Sequence, residues 1–156
     1  MFRRGFLPAA FALAAMLCLS GVALAASAVA VEDLKPAEAW SKLQRREAIL
    51  IDVRTQGEWQ QTGVPRGAER VTLSDPRGAR GFVAGVKKAV RGDLKTPVML
   101  ICRTGNRSAK AAQLLVAAGF RSVYNVTEGV IGNGSDTGWA WRGLPMVACG
   151  VCVAQN

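Results

Sequence analysis

The chain contains no histidine, and this absence excludes several kinds of catalytic site. No imidazole is available as a general base, so a Cys-His or Ser-His hydrolase is ruled out. A zinc site that uses histidine is ruled out for the same reason. Any reactive thiol in this chain must therefore be activated by backbone amides and by positively charged side chains.

Acidic and aromatic residues are also scarce. Lysine and arginine total 20 against 11 aspartate and glutamate residues, giving a net charge of +9, and aromatic residues make up 6%. The basic residues are scattered, and no aromatic residues alternate with them as in a nucleic-acid-binding surface. We interpret the charge as a solvated basic surface that attracts small anions, and we predict no nucleic-acid partner.

The start of the chain has the pattern of a signal peptide. Arg3 and Arg4 precede an uncharged apolar run from Phe6 to Leu24, and small residues near positions 25 and 30 offer cleavage sites. We predict a signal peptide over residues 1–30 and a periplasmic or secreted protein. Export by the Sec route is favoured over the twin-arginine route, which the arginine pair also resembles. The alternative is that this segment stays uncleaved as a membrane anchor. We expect no membrane association other than through such an uncleaved segment.

The most informative segment surrounds Cys102. An apolar strand pattern over 98–101 comes before this cysteine, and a helical pattern over 108–118 follows it. Loop amides and the positive end of the helix dipole meet at such a junction, and both stabilise an anion. Arg103 and Arg107 add positive charge, and Gly105 allows a tight turn. We predict a nucleophilic thiolate here, in preference to a buried, inert core cysteine.

Strand and helix patterns alternate along the rest of the chain. Continuous apolar or β-branched runs predict strands over 48–53, 71–73, 98–101 and 122–126, and periodic patterns predict helices over 35–47, 80–90 and 108–118. Capping-box spacing predicts a further short helix from Thr55 to Glu58. This order indicates an α/β domain with a central parallel sheet and helices on both faces. Arg54, Cys102 and Glu128 each follow a strand, so we expect them at the same edge of the sheet.

The sequence also resembles the rhodanese-domain sulfurtransferases. The loop from Cys102 to Ser108, Cys-Arg-Thr-Gly-Asn-Arg-Ser, looks like the family's active-site loop, C-R-x-G-x-R-S. Other segments resemble the family in the same order: Ile49 to Arg54, Glu58-Trp59, Gly63 to Ala68, Gly138-Trp139 and Gly143 to Pro145. The segment from Gly63 departs by lacking the family's usual histidine. The resemblance covers 34–146 as one rhodanese-like domain, followed by a tail over 147–156.

The resemblance implies a sulfurtransferase. Cys102 would attack the outer sulfur of thiosulfate or a persulfide donor, and its persulfide would pass that sulfur to a thiol or to cyanide. The binding loop would cradle the persulfide and the anionic donor. Its residues are Arg103, Thr104, Gly105, Asn106, Arg107 and Ser108. Asp52, Arg54 and Glu58 would support the loop, with Arg54 paired to Glu58. No cofactor and no metal are expected.

Two other functions stay open at this point. Phosphatases and arsenate reductases of related fold use a loop with five residues between the cysteine and the arginine, whereas four separate Cys102 from Arg107. A tighter loop suits one sulfur atom better than a phosphate group. The other alternative is a sulfur-carrier, redox or binding module of the cell envelope.

The tail contributes a second cysteine motif, Cys149-Gly150-Val151-Cys152. Its spacing is that of a dithiol-exchange pair, although the usual strand before it and helix after it are missing. A structural disulfide and half of a metal site are the alternatives, and the metal site is the least favoured. As a candidate redox pair, Cys149 and Cys152 would discharge or protect Cys102, and the partner would be an envelope redox protein.

Overall fold

The computed structural model describes residues 29–156, and the signal peptide predicted over 1–30 falls almost entirely outside this part. Seven strands and four helices alternate along the described chain. The strands are β1 (Val31–Leu34), β2 (Ile49–Asp52), β3 (Val64–Pro65), β4 (Glu69–Arg70), β5 (Val98–Ile101), β6 (Val123–Val126) and β7 (Met146–Val147). The helices are α1 (Pro36–Gln44), α2 (Gln56–Thr62), α3 (Ala79–Ala89) and α4 (Asn106–Ala117).

Five strands form a parallel sheet in the order β1-β6-β5-β2-β4, with β5 in the centre. Alternate residues of the strands enter two different apolar clusters. Ile51 and Leu100 pack with residues of α3 and α4, whereas Leu50 and Ile101 pack on the opposite face with α1 and Trp139. Both faces of the sheet are covered at its central strands, which explains why β2, β5 and β6 are mostly apolar. The predicted parallel α/β architecture is confirmed.

The helix predicted from Thr55 begins where the capping box places it. The Thr55 hydroxyl accepts a hydrogen bond from the Glu58 amide at 3.4 Å, and the Glu58 carboxylate accepts one from the Thr55 amide at 3.1 Å. These reciprocal contacts satisfy amide groups that have no partner within the helix. They also fix the position of the Glu58 carboxylate at the start of α2.

Two predicted strand positions need correction. The strand predicted over 71–73 lies at Glu69–Arg70, although Val71 and Leu73 still donate backbone hydrogen bonds to β2 and the residue after it. β1 was missed, because its middle residues Glu32 and Asp33 are acidic and exposed at the sheet edge. Neither strand has the continuous apolar run that marks the buried strands.

The C-terminal tail packs against the domain. β7 pairs antiparallel with β3, and beyond it the Gln155 amide donates to the Arg70 carbonyl at 2.7 Å. The Asn156 side chain accepts from the Thr72 amide at 3.0 Å. The tail thus follows the outer side of β4 and covers an edge that would otherwise expose unpaired backbone groups. Within residues 29–156, no helix is long and apolar enough to span a bilayer.

Candidate active site

Cys102 lies directly after β5, at the carboxyl edge of the central strand, and is 1% exposed. Its sulfur accepts a hydrogen bond from the Gly105 amide at 3.1 Å, and the Ser108 hydroxyl lies 3.4 Å from it. Gly105 is the residue that precedes α4, so the thiol faces the positive end of this helix. The structure therefore surrounds the sulfur with donors that stabilise a negative charge.

Two glycines allow the loop to close around the sulfur. Gly105 has a φ of 94°, and a Cβ at this position would collide with the Thr127 carbonyl. Gly129 has a φ of 60°, and a Cβ there would lie 2.6 Å from the Thr104 amide nitrogen. The loop is held from the same side, because the Val130 amide donates to the Cys102 carbonyl at 2.9 Å. The segment after β6 thus fixes the backbone of the cysteine loop.

A buried polar chain extends from the cysteine toward β1. The Ser108 hydroxyl lies 2.7 Å from Asn125 Oδ1, and Asn125 Nδ2 donates to Asp33 Oδ1 at 3.1 Å. The hydroxyl has a single proton, so Asn125 Oδ1, the Gly105 carbonyl at 2.9 Å and the Cys102 sulfur compete for it. Ser108 was predicted from the loop motif, whereas Asn125 was missed, and its polar side chain inside a mostly apolar strand is the signal that marks it.

The two arginines of the loop have different environments. Arg107 forms a two-point ion pair with Glu58, with distances of 2.8 and 2.5 Å. This contact lowers the pKa of Glu58 from 4.5 to about 2, chiefly through the hydrogen bonds from Arg107. Arg103 is exposed, and no ion pair of its side chain is found in the described part of the chain. Arg103 is thus free to meet an incoming anion, whereas Arg107 joins the loop to α2.

The predicted pairing of Arg54 with Glu58 is wrong. The buried Arg54 guanidinium instead binds the buried Asp52 carboxylate, with its shortest contact at 2.6 Å. It also donates to the Thr62 hydroxyl and the Gly63 carbonyl at 2.6 and 2.7 Å. These bonds connect the end of β2 to the end of α2. Arg54 does not pair with Glu58, because α2 turns the Glu58 side chain toward the cysteine loop.

Glu128 also lies at this edge, after β6, but its carboxylate binds the Arg142 guanidinium at 2.8 Å. The pair connects the end of β6 to the closing turn after Trp139. The Glu128 side chain is 2% exposed, and Arg142 compensates its buried negative charge. The pair therefore anchors the closing segment.

Cys149 and Cys152 form a disulfide, and Cys102 is the free cysteine of the described chain. Cys152 belongs to an apolar cluster with Trp59 and Val64, whereas Cys102 belongs to the cluster between the sheet, α3 and α4. The structure therefore does not bring the tail cysteines and Cys102 together in one cluster, although Cys149 and Cys152 were predicted to discharge or protect Cys102.

The fold and the loop define a class: a parallel α/β domain whose buried cysteine lies in an anion-stabilising loop at the start of a helix. Residues 35–132 match the family described as rhodanese-like domain. The chain belongs to the rhodanese-like domain family. Its resemblance to this family at the level of motifs is thereby confirmed.

Curated relatives support the same assignment. An uncharacterized protein of Rickettsia prowazekii is 30% identical over 118 residues, which are 74% of this chain and 96% of that protein. The tRNA uridine(34) hydroxylase of Chlamydia trachomatis is 33% identical over 115 residues, but these are 72% of this chain and 34% of the hydroxylase.

Solved structures agree in fold. A Mycobacterium tuberculosis protein is 33% identical with a TM-score of 0.59, over 76% of this chain and 98% of that one. A thiosulfate sulfurtransferase from Pseudomonas aeruginosa is 26% identical with a TM-score of 0.59, over 75% of this chain and 20% of the enzyme. The polysulfide-sulfur transferase from Wolinella succinogenes is 27% identical with a TM-score of 0.54, over 75% of this chain and 78% of that one.

Proposed function

We propose that this protein is a rhodanese-type sulfurtransferase that works through a persulfide on Cys102. The observation that supports this most directly is the hydrogen bond from the Gly105 amide to the Cys102 sulfur at 3.1 Å. A donor in this position stabilises a thiolate before the reaction and a charged persulfide after it. The similarity to a thiosulfate sulfurtransferase and a polysulfide-sulfur transferase is consistent with this chemistry.

The first half-reaction transfers one sulfur atom to the enzyme. The Cys102 thiolate attacks the outer sulfur of thiosulfate, the sulfur–sulfur bond of the donor breaks, and sulfite leaves with the electron pair. Arg103, exposed beside the loop, attracts the doubly charged donor. The amides of the loop and the first turn of α4 then hold the anionic outer sulfur, because these amides have no partner within the helix.

The second half-reaction removes the sulfur. A thiolate or cyanide attacks the outer sulfur of the persulfide, which becomes part of a new persulfide or of thiocyanate, and Cys102 leaves as the thiolate. Ser108 lies within reach of the departing charge, and its hydroxyl can turn from Asn125 toward the sulfur. The Arg107–Glu58 pair keeps the loop in place during both steps.

The activity is tested by thiosulfate-to-cyanide sulfur transfer with the wild-type protein and Cys102→Ser. We expect the serine variant to fold and to lose the activity, because a hydroxyl at this position is a poor nucleophile without a base. Hydrolysis of an aryl phosphate is measured alongside. Unchanged sulfur transfer in the variant, or a faster cysteine-dependent phosphate hydrolysis, would contradict the proposal.

We further propose that the protein works in the cell envelope after removal of residues 1–30. The support is the charge and small-residue pattern of that segment, which is typical of a Sec signal. The intact mass of the protein recovered from the periplasm or the medium tests this proposal. A start near residue 26 or 31 is expected, whereas a retained first methionine in a cytoplasmic fraction would contradict it.

A further inference from the structure

The tail disulfide is an independent feature that the sulfur-transfer mechanism does not use. The Cys149 and Cys152 Cα atoms lie 5.5 Å apart, within the usual range for bonded cysteines. The two residues differ in burial, because Cys152 is 1% exposed inside the cluster with Trp59, whereas Cys149 is partly buried at the edge of the same cluster. An incoming thiol can therefore approach Cys149 but not Cys152.

Cys149 also opens onto a groove. A cavity of about 230 Å³ is lined by Cys149 itself, by Gly67 and Ala68 on one side and by Arg70 on another. Arg70 is held in place because its Nε donates to the Val153 carbonyl at 3.2 Å. Its positive charge attracts an incoming thiolate toward the groove. The groove offers the incoming group both room and an electrostatic attraction.

The segment around the disulfide is held on both sides. Before it, β7 pairs with β3, and after it, Gln155 and Asn156 are hydrogen-bonded to Arg70 and Thr72. The cysteines would therefore stay close to each other if the bond between them were broken. A pair held in this way can open and close repeatedly without unfolding the domain.

The cluster around Cys152 contains an unsatisfied donor. The indole N–H of Trp59 is fully buried and has no hydrogen-bond partner within residues 29–156. A buried donor without a partner is costly for a folded protein. The Cys152 sulfur belongs to the same cluster, and as a thiolate it is a stronger acceptor than as part of a disulfide.

From these observations we infer that Cys149–Cys152 is a thiol–disulfide exchange site that accepts electrons from a dithiol. A thiolate of the dithiol attacks the Cys149 sulfur, the Cys149–Cys152 bond breaks, and Cys152 leaves as a thiolate. The second thiolate of the partner then attacks the partner sulfur that is bonded to Cys149, and Cys149 leaves as a thiolate. The partner becomes a disulfide, and its two protons go to the two tail thiolates.

The first test uses a variant that carries both Cys18→Ser and Cys102→Ser, so that every signal comes from the tail and the result does not depend on sulfur transfer at Cys102. The folded protein is treated with millimolar dithiothreitol, alkylated and weighed, while circular dichroism reports the fold. We expect two alkyl groups to be added with the fold retained. A pair that stays oxidised until denaturant is added would be a purely structural disulfide and would overturn the inference.

The second test measures which sulfur reacts, with Cys152→Ser and Cys149→Ser each added to the variant that lacks Cys18 and Cys102. Oxidised glutathione is the probe, and the rate of mixed-disulfide formation is followed by mass. The protein that retains Cys149 should react at least about ten-fold faster than the one that retains Cys152, because only Cys149 is accessible. Equal rates, or a faster Cys152, would contradict the assigned direction of attack.

Discussion

Replacing Glu58 by glutamine should lower the stability of the protein at neutral pH and leave it unchanged in strong acid. The substitution keeps a capping-box side chain at the third position of α2 but removes the charge that Arg107 binds. The folded-state pKa of Glu58 is depressed from 4.5 to about 2. Its contribution to stability is therefore fully present above about pH 4.5 and is lost as the pH falls toward 2.

The size of the effect follows from the pKa and from exposure. A fall from 4.5 to about 2 corresponds to at most about 3.4 kcal/mol, at about 1.36 kcal/mol for each pH unit. The Glu58 and Arg107 side chains are 17% and 35% exposed, so water screens part of their attraction. We expect a loss of about 1–2 kcal/mol in the free energy of unfolding at neutral pH.

The assay is urea denaturation of wild type and Glu58→Gln at a series of pH values from about 7 down to about 2. The difference between their free energies of unfolding should shrink steadily below about pH 4.5. Glu69→Gln is the matched control, because Glu69 is exposed and forms no ion pair within residues 29–156. A difference that is absent at neutral pH, or that stays constant down to the lowest pH, would refute the reasoning.

Three further outcomes follow from the site and the tail. Arg103→Ala should raise KM for thiosulfate, and added salt should raise KM of the wild type in part, because salt screens charge. Equal kinetics in Arg103→Ala and in the surface control Arg121→Ala would show that Arg103 does not bind the donor. Asn125→Ala should lower kcat more than it raises KM in steady-state assays, because Ser108 loses the contact at 2.7 Å that orients its side chain beside Cys102; a change in KM alone would contradict this positioning role. Truncation after Ala148 should cost about 1–3 kcal/mol in urea denaturation, since it exposes Trp59 and removes the hydrogen bonds to β4; sulfur loading at Cys102 should not change, and a loss of loading would link the tail to the site.

Local patterns were sufficient to predict the core of the fold. The buried strand β5 is a continuous apolar run, β2 and β6 are mostly apolar, and their spacing between helical patterns indicated a parallel sheet. The junction of strand and helix at Cys102 was visible for the same reason. The capping box at Thr55 could be read directly from residue spacing, since its contacts join residues only three positions apart.

Contacts between distant residues could not be predicted in this way. Glu58 and Arg107 are 49 positions apart, and their pairing depends on how α2 is turned against the cysteine loop. The partner assigned to Arg54 was wrong although Asp52 is only two positions away, because α2 turns Glu58 toward Arg107 and leaves the buried Asp52 carboxylate beside Arg54. The docking of the tail on β4 likewise depends on hydrogen bonds between distant positions, such as those of Gln155 and Asn156 with Arg70 and Thr72.

The most direct test of sulfur transfer is the mass of the protein after treatment with thiosulfate. We predict a gain of about 32 Da, one sulfur atom, located on Cys102 by peptide mapping and removed by cyanide. Cys102→Ser should show no gain. A wild-type protein that gains no mass, or that gains it only on Cys149 or Cys152, would contradict a Cys102 persulfide as the intermediate.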